Sequence, residues 1–497
     1  MPHQHPDRSP DETSVAEVTR PAADAAPTVA ASPLPERAGW LRAVADALDA
    51  QRDALAAVAD QETALGLPRL TGEVARTSGQ LRLFADVVEE GSYLEVAIDH
   101  ADPDAAPPRP DLRRMLRPLG PVAVFAAGNF PFAFSVAGGD SASALAAGCP
   151  VVVKAHPGHP RTSRATGDLV AEALRDAGAP DGTFALIEGF EAGRALVTDP
   201  RITAIGFTGS LAGGRALFQL ACSRPDPIPF YGELGSLNPV VLTPRAIVAR
   251  SEDLAHGLVG SFTLGTGQFC TKPGIVLIPD GSGFETAVAA ALGETEPATM
   301  LTDGIAERFS DGLARLAHLE DVEVVAGDPD GAVAGRAAAP VVLATSTDTL
   351  RAAADRLLEE CFGPLTLLVR YRDEDDLDAV LEVFPGSLTA AIHAEPDDLP
   401  MFGPIIERMT RLAGRVIHGG WPTGVAVTWS QHHGGPWPAT TAPLHTSVGA
   451  TAIRRFLRPV AYQDVPDPWL PEAVRDGNPL GVPRRVDGRL EVAPPQA

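Results

Sequence analysis

Lysine is nearly missing from this 497-residue chain: of its 40 basic residues only Lys154 and Lys272 are not arginine. An arginine-rich composition supplies arginine wherever it serves equally well, so these two positions ask for a compact charge on a flexible stem. Cysteine is scarce too, with residues 149, 222, 270 and 361 and no C-x-x-C pair, which excludes a zinc ribbon, a redox dithiol and a disulfide framework. Basic charge falls short of acidic, 40 residues against 64 for a formal charge of -24, and this excludes a surface built to neutralise a phosphate backbone. No nucleic-acid partner is expected. No apolar run reaches the length of a membrane span, and the acidic N-terminus has neither the basic nor the apolar region of a signal peptide. A cytoplasmic location without a membrane partner is expected. The chain lacks G-x-G-x-x-G and G-x-x-x-x-G-K-[ST], which removes the standard Rossmann fingerprint and the P-loop. Its paired histidines, His156/His159 and His432/His433, have no carboxylate or cysteine at ligand spacing, so no metal is expected.

What is there is length enough for two or three domains and 45% hydrophobic residues. Residues 1–34 are rich in Pro, Ala, Asp and Thr and read as a mobile tail, with a short helix after the first dozen. An apolar stripe through Leu41, Val44, Leu48, Leu55 and Val58 predicts a helix, and a second runs over about 70–89. Residues 92–117 suggest two extended segments around a Pro/Asp-rich loop, an arm suited to assembly. From Pro121 short apolar strands alternate with helical stretches, the rhythm of an α/β fold with a parallel sheet, and a second α/β segment follows Glu233. The end, 460–497, is proline-rich and reads as irregular.

Each piece that can carry chemistry has two readings on its own. Cys270, in Gly265-Thr-Gly-Gln-Phe-Cys270, is either a small buried hydrophobe or a nucleophile with flexible backbone around it. Gly206-Phe-Thr-Gly-Ser210 follows a strand and opens a helix, so it is either an N-cap turn or a phosphate site at a helix N-terminus. Glu233 between glycines is a turn carboxylate or a general base, and Glu360 before Phe362-Gly-Pro364 a helix-terminal acid or a ribose ligand. Asn129 is an ordinary turn residue or an oxyanion donor.

Their joint order is more specific than any one of them. Taken together, Pro118-Leu-Gly-Pro-Val-Ala-Val, Gly128-Asn-Phe-Pro131, Val151-Val-Val-Lys154, Gly206-Phe-Thr-Gly-Ser210, Gly232-Glu-Leu-Gly235, Gly267-Gln-Phe-Cys270 and Glu360-Cys-Phe-Gly-Pro364 closely resemble the aldehyde dehydrogenase superfamily over about 36–462. Gly138-Gly-Asp-Ser-Ala-Ser-Ala-Leu-Ala-Ala-Gly-Cys-Pro150, Lys154-Ala-His-Pro and Gly434-Gly-Pro-Trp-Pro-Ala-Thr440 look most like its NADP-dependent branch of 2-oxoglutarate semialdehyde (2,5-dioxopentanoate) and some fatty aldehyde dehydrogenases. The resemblance implies a doubly wound cofactor domain at 35–91 and 118–232, an oligomerisation arm at 92–117, an α/β catalytic domain at 233–424, a return at 425–462 and an irregular end at 463–497. It implies that Cys270 attacks an aldehyde, that Asn129 holds the oxyanion, and that Glu233 activates the water that hydrolyses the thioester. It implies cofactor contacts from Lys154, Gly206, Gly209, Ser210, Glu360 and Phe362, and a homodimer or homotetramer.

Many NAD-using relatives carry a glutamate three residues after the lysine; here that position is Pro157, which favours NADP, with NAD the second choice and His156 and Arg161 as further contacts. The loop at 425–433 is expected to line the substrate entrance, where Trp429 and Trp421 narrow the tunnel or stack on a ring, so beside a small aldehyde or semialdehyde a bulkier aliphatic or aromatic aldehyde is the alternative substrate. A non-redox thiol acyltransferase or hydrolase, or a non-catalytic homologue, is the reading from another class. Lys272, two residues past Cys270, reads either as electrostatic help to the thiolate or as a surface residue.

Overall fold

A computed structural model describes residues 15–492 except Glu294. The tail expected at 1–34 falls outside the described residues up to 14; the helix expected after the first dozen is Val15–Ala31, and it corrects only the mobile-tail reading, because it buries Ala22, Ala25 and Val29 against the first sheet. The stripe beginning near Glu36 is carried by two helices, Leu34–Ala50 and Arg52–Thr63, parted at Gln51. A third, Leu67–Glu90, buries Leu70, Val74, Leu81, Phe84 and Val88 at spacings of three and four in the same core as Trp40, Leu41 and Leu48.

The first sheet is entirely parallel, in the spatial order Phe184–Ile187, Val151–Lys154, Val122–Phe125, Ala204–Thr208, Phe230–Glu233. Its central strands are near-continuous apolar runs because helices cover both faces. From Val122–Phe125 the next strand in sequence lies on one side and Ala204–Thr208 on the other, so the order reverses there and a crevice opens beyond the carboxyl ends. Asn129, Lys154, Ser210 and Glu233 all lie at or just past those ends.

The second sheet has seven strands, in the order Glu323–Ala326, Val341–Ser346, Leu365–Tyr371, Ile275–Pro279, Val240–Leu242, Ser387–His393, Ala413–His418. The outermost pair at the Glu323 edge is antiparallel and the rest are parallel. Because Ile275–Pro279 and Leu365–Tyr371 are parallel neighbours, the loops entering them, which carry Cys270 and Glu360, emerge side by side.

The third sheet is ordered Leu457–Gln463, Leu112–Pro118, Val96–Asp99, Arg484–Val486, Arg489–Glu491. The irregular end expected after 463 is therefore corrected over 484–491, where a strand joins Val96–Asp99 in parallel; local sequence could not show this, since the partner lies almost 390 residues earlier. Arg113, almost fully buried, helps hold this end by pairing with Asp111, Asp467 and Asp476 and donating to the Val474 carbonyl at 3.0 Å.

One buried ion pair links the closing segment to the first sheet. Arg455, 2% exposed, donates to Asp140 at 2.7 Å and to the Ser143 hydroxyl at 3.1 Å. The Asp140 carboxylate in turn occupies the space a side chain would need at Gly206, 2.8 Å from where its Cβ would stand. Arg455→Met is expected to destabilise the protein by about 3–5 kcal/mol by stranding that carboxylate. Thermal denaturation of Arg455→Met beside Arg455→Met/Asp140→Asn tests this, the double variant being expected to regain most of the loss.

Candidate active site

Cys270 stands on the loop between the helix Pro244–Thr263 and the strand Ile275–Pro279. Gly265 and Gly267 take φ of +57° and +65° there, and Gly267 packs directly onto the Gly363–Pro364 backbone, leaving no room for a side chain. Asn238, fully buried at φ +52°, holds the loop from below: its amide donates to the carbonyls of Cys270 and Lys272 at 2.8 and 2.9 Å. Its oxygen accepts from the Ser236 hydroxyl and from Thr389.

Lys272 is neither a surface residue nor aimed at the thiol, and both readings made of it are corrected. It is 3% exposed and donates to the carbonyls of Cys361 and Leu365 at 2.9 and 2.8 Å. A slim ammonium fits between two backbone carbonyls where a guanidinium fork would not, which explains one of the two lysines. Its positive charge offsets part of the burial that pushes Glu360 up to about 7.

Asn129 lies on the other side of Cys270. One of its amide hydrogens goes to the Gln268 carbonyl at 2.9 Å, and its own carbonyl accepts from Arg69 at 2.6 Å. Glu233 is 7% exposed at the end of its strand, with Oε2 unpaired among the described residues. Burial, then the Asp140 charge, raises its pKa well above the usual carboxylate range against the pull of Arg455.

Between these two groups stands a residue assigned no role from sequence. His433 Nε2 is 3.6 Å from Cys270 Sγ and 3.9 Å from Glu233 Oε2, so one nitrogen faces both. Its backbone is pinned by the Thr446 hydroxyl at 2.7 Å and by the Ser447 N–H at 2.9 Å. Gly434 and Gly435 behind it press on the His445 and Ser387 carbonyls, which explains the paired glycines. Burial, reinforced by Arg415 and Arg76, drives the His433 pKa down to about 3, so the ring is neutral at pH 7. The signal was the His-His-Gly-Gly order; what was missing was the fold that brings it to Cys270.

The cofactor positions divide. Ser210 caps the helix Leu211–Cys222, accepting from the Gly213 N–H at 3.3 Å, and Gly209 and Ser210 are exposed at its open N-terminus. Lys154 lays its stem along Gly193 at the crevice edge, and Phe362 is half-buried beside Glu360. Gly206 is buried in its strand to admit Asp140, which corrects its assignment as a cofactor contact. His156 is also corrected as a charged contact: its ring turns inward between Gly128 and Gly158, accepts the Gly158 N–H at 3.1 Å, stacks on His159 and has its pKa lowered by burial to about 3. Arg161 instead reaches Gln61 at 3.1 Å, away from Lys154. Trp421 is corrected as an entrance residue, because its indole covers Gly257 and packs 4.5 Å from the His393 ring; Trp429 is 48% exposed.

The aldehyde dehydrogenase family matches residues 8–430. The chain belongs to this family. It is 48% identical to alpha-ketoglutaric semialdehyde dehydrogenase 2 of Azospirillum brasilense, over 95% of this chain and 90% of that one. To the alpha-ketoglutaric semialdehyde dehydrogenase of Acinetobacter baylyi it is 43% identical, over 92% and 87%. Among solved structures, aldehyde dehydrogenase C of Pseudomonas syringae, complexed with NAD+ and octanal, superposes with a TM-score of 0.78 at 20% identity over 91% of this chain and 89% of that one. Aldehyde dehydrogenase 21 of Physcomitrella patens gives 0.76 at 22%, over 90% of each. This aldehyde dehydrogenase is thus an oxidoreductase that converts an aldehyde to its carboxylic acid with NAD(P), and the non-redox and non-catalytic readings fall away.

The residues present suit a dinucleotide. A twelve-residue helix opens its N-terminus at the sheet's switch point, Lys154 offers a cation beside it, and the buried Glu360 carboxylate lies near the nucleophile loop. With burial first and Glu233 and Glu360 adding, the Cys270 thiol is pushed up to about 12. Iodoacetamide at pH 7 is therefore expected to label Cys270 of the free enzyme about a hundredfold more slowly than the exposed Cys222. The rate should rise about tenfold per pH unit towards pH 10, as the thiolate becomes populated. Peptide mass mapping reads both sites, and equal rates at pH 7 would refute the buried-thiol account.

Proposed function

We propose that this aldehyde dehydrogenase oxidises 2-oxoglutarate semialdehyde to the dicarboxylate with NADP, using Cys270 as nucleophile, His433 as proton relay and Glu233 as the base for deacylation. The observation that carries the mechanism is the single His433 nitrogen facing both Cys270 and Glu233. The substrate rests on two relatives of that name at 48% and 43% identity across nearly the whole chain. NADP is favoured because Pro157 adds no carboxylate beside Lys154 to repel a 2′-phosphate, and the charge of Glu188, which Lys154 does feel, is balanced by Arg164 at 2.8 Å.

In this mechanism the Cys270 sulfur bonds to the aldehyde carbon while its proton passes to His433 Nε2. Neither charge exists beforehand, since burial holds the thiol and the imidazole neutral. The oxyanion that forms takes the free amide hydrogen of Asn129 and the Cys270 N–H. A nicotinamide held beside this carbon would supply the hydride acceptor. Glu233 then takes a proton from the water attacking the thioester, the C–S bond breaks, and His433 returns a proton to the sulfur. Lys154, Gly209, Ser210, Glu360 and Phe362 hold the cofactor. The third sheet, with Trp469 at 80% and Leu490 at 63% exposed on its C-terminal part, serves assembly into a homodimer or homotetramer.

Absorbance at 340 nm across semialdehyde, aliphatic and aromatic aldehydes with NADP and NAD tests the assignment; a strong preference for 2-oxoglutarate semialdehyde with NADP is expected, and equal use of all aldehydes would sink it. Cys270→Ala should abolish turnover. Glu233→Gln should still give a burst of about one NADPH per site and then stop, because only deacylation needs the carboxylate. His433→Gln should lower kcat/KM by about 10²–10⁴-fold, and an unchanged value would remove the relay.

A further inference from the structure

The helix Leu67–Glu90 has a second stripe besides its apolar one: Arg69, Glu73, Arg76 and Gln80 recur at spacings of four, three and four. Glu73 and Gln80 are 4% and 1% exposed, so this polar stripe faces the interior. Glu73 spends one oxygen on the N–H groups of Phe132 and Ala133, at 2.8 and 3.0 Å, just past Asn129. Arg69 lies over the Phe130 and Phe269 rings and donates to the Asn129 carbonyl. The stripe thus forms a wall of the site.

Arg76 is the member without employment. Both of its terminal nitrogens are buried and unpaired, and among the described residues no other arginine is in that state. Arg415 gives a terminal nitrogen to the Pro422 and Gly424 carbonyls, and Arg455 is committed to Asp140 and Ser143. Among the described residues the only carboxylate set against Arg76 is Glu73, which makes no hydrogen bond to it and is itself pushed towards the neutral form by burial. Arg76 stacks 5.2 Å over Phe134, whose ring lies 6.2 Å from that of His433, and its charge is felt at Cys270. A buried cation with an open two-pronged fork, one aromatic ring away from the proton relay, calls for an anion that arrives with the ligand.

We propose that the Arg76 guanidinium receives the distal carboxylate of the substrate, so that this enzyme selects short aldehydes whose far end is a carboxylate. The proposal rests on the substrate reading above and names the residue that enforces it. Arg415, whose Nε is also buried and unpaired, adds positive charge to the same chamber while its terminal nitrogen holds the loop at 422–424. Phe130, Phe134 and Phe269 supply apolar walls for the methylenes between aldehyde and carboxylate.

The test compares 2-oxoglutarate semialdehyde with pentanal, of equal length without the carboxylate, for wild type, Arg76→Gln and Arg76→Lys at saturating NADP. Arg76→Gln is expected to lower kcat/KM for the semialdehyde at least a hundredfold, mainly through KM, while pentanal stays within about threefold. Arg76→Lys should fall between, keeping the charge and losing the fork. Equal losses on both aldehydes would make Arg76 a structural residue and overturn the proposal. A wild type that prefers the semialdehyde, with the preference surviving Arg76→Gln, would overturn the receptor alone; a wild type indifferent between the two would overturn the substrate reading and the receptor with it. Should Arg76→Gln not fold, Arg76→Lys carries the comparison, and glutarate is expected to inhibit wild-type pentanal oxidation competitively; no inhibition counts against the receptor.

Discussion

The active site hangs on the side chain of Asn238. Its amide faces the Cys270 and Lys272 carbonyls, and its oxygen faces Ser236 and Thr389, so one buried residue joins the nucleophile loop to the strand Ser387–His393. A left-handed backbone at φ +52° lets it do so, and asparagine is among the few residues with a side chain that adopt this conformation cheaply. Lys272 continues the chain of contacts to the Glu360 turn. Cys270 and the Glu360 turn are thereby held by one polar network with little freedom to shift separately.

Burial then sets the chemistry. Cys270, His433 and Glu233 are each driven towards their neutral forms because the surroundings solvate charge poorly. A neutral thiol and a neutral imidazole protect Cys270 from stray electrophiles and delay charge separation until a carbonyl is in place to accept the sulfur. Arginine charge surrounds this centre: Arg455 pulls Glu233 towards its charged form against burial and the Asp140 charge, while Arg415 and Arg76 keep His433 from taking a proton.

Much of the fold was legible, because alternating apolar strands and amphipathic helices report a parallel sheet without help from distant residues. Cys270, Glu233 and Asn129 each keep two readings on local grounds, and only the joint order of their motifs, through its resemblance to the family, singles them out. The departures share one cause. The helix Val15–Ala31 lies in a stretch whose composition reads as a mobile tail, yet it is fixed by burying Ala22 and Val29 on the first sheet. The strand at Arg484–Val486 has three residues and no apolar alternation; it exists through its ladder to Val96–Asp99. Gly206, His156 and Trp421 were read as open to ligands, and each is used by a neighbour remote in sequence.

By itself the sequence determined the alternation of strands and helices along the chain and the loops that bear the candidate groups, since these follow from short-range periodicity and from where glycine and proline permit sharp turns. Only the tertiary structure decided which side chains meet. It chose His433 over His432 from 163 residues away, buried Lys272 between two carbonyls, and turned the stripe with Arg76 inward without an acid hydrogen-bonded to its fork. A side chain's charge state and direction depend on how much water its neighbours exclude, and that is a property of the packed molecule rather than of any stretch of chain.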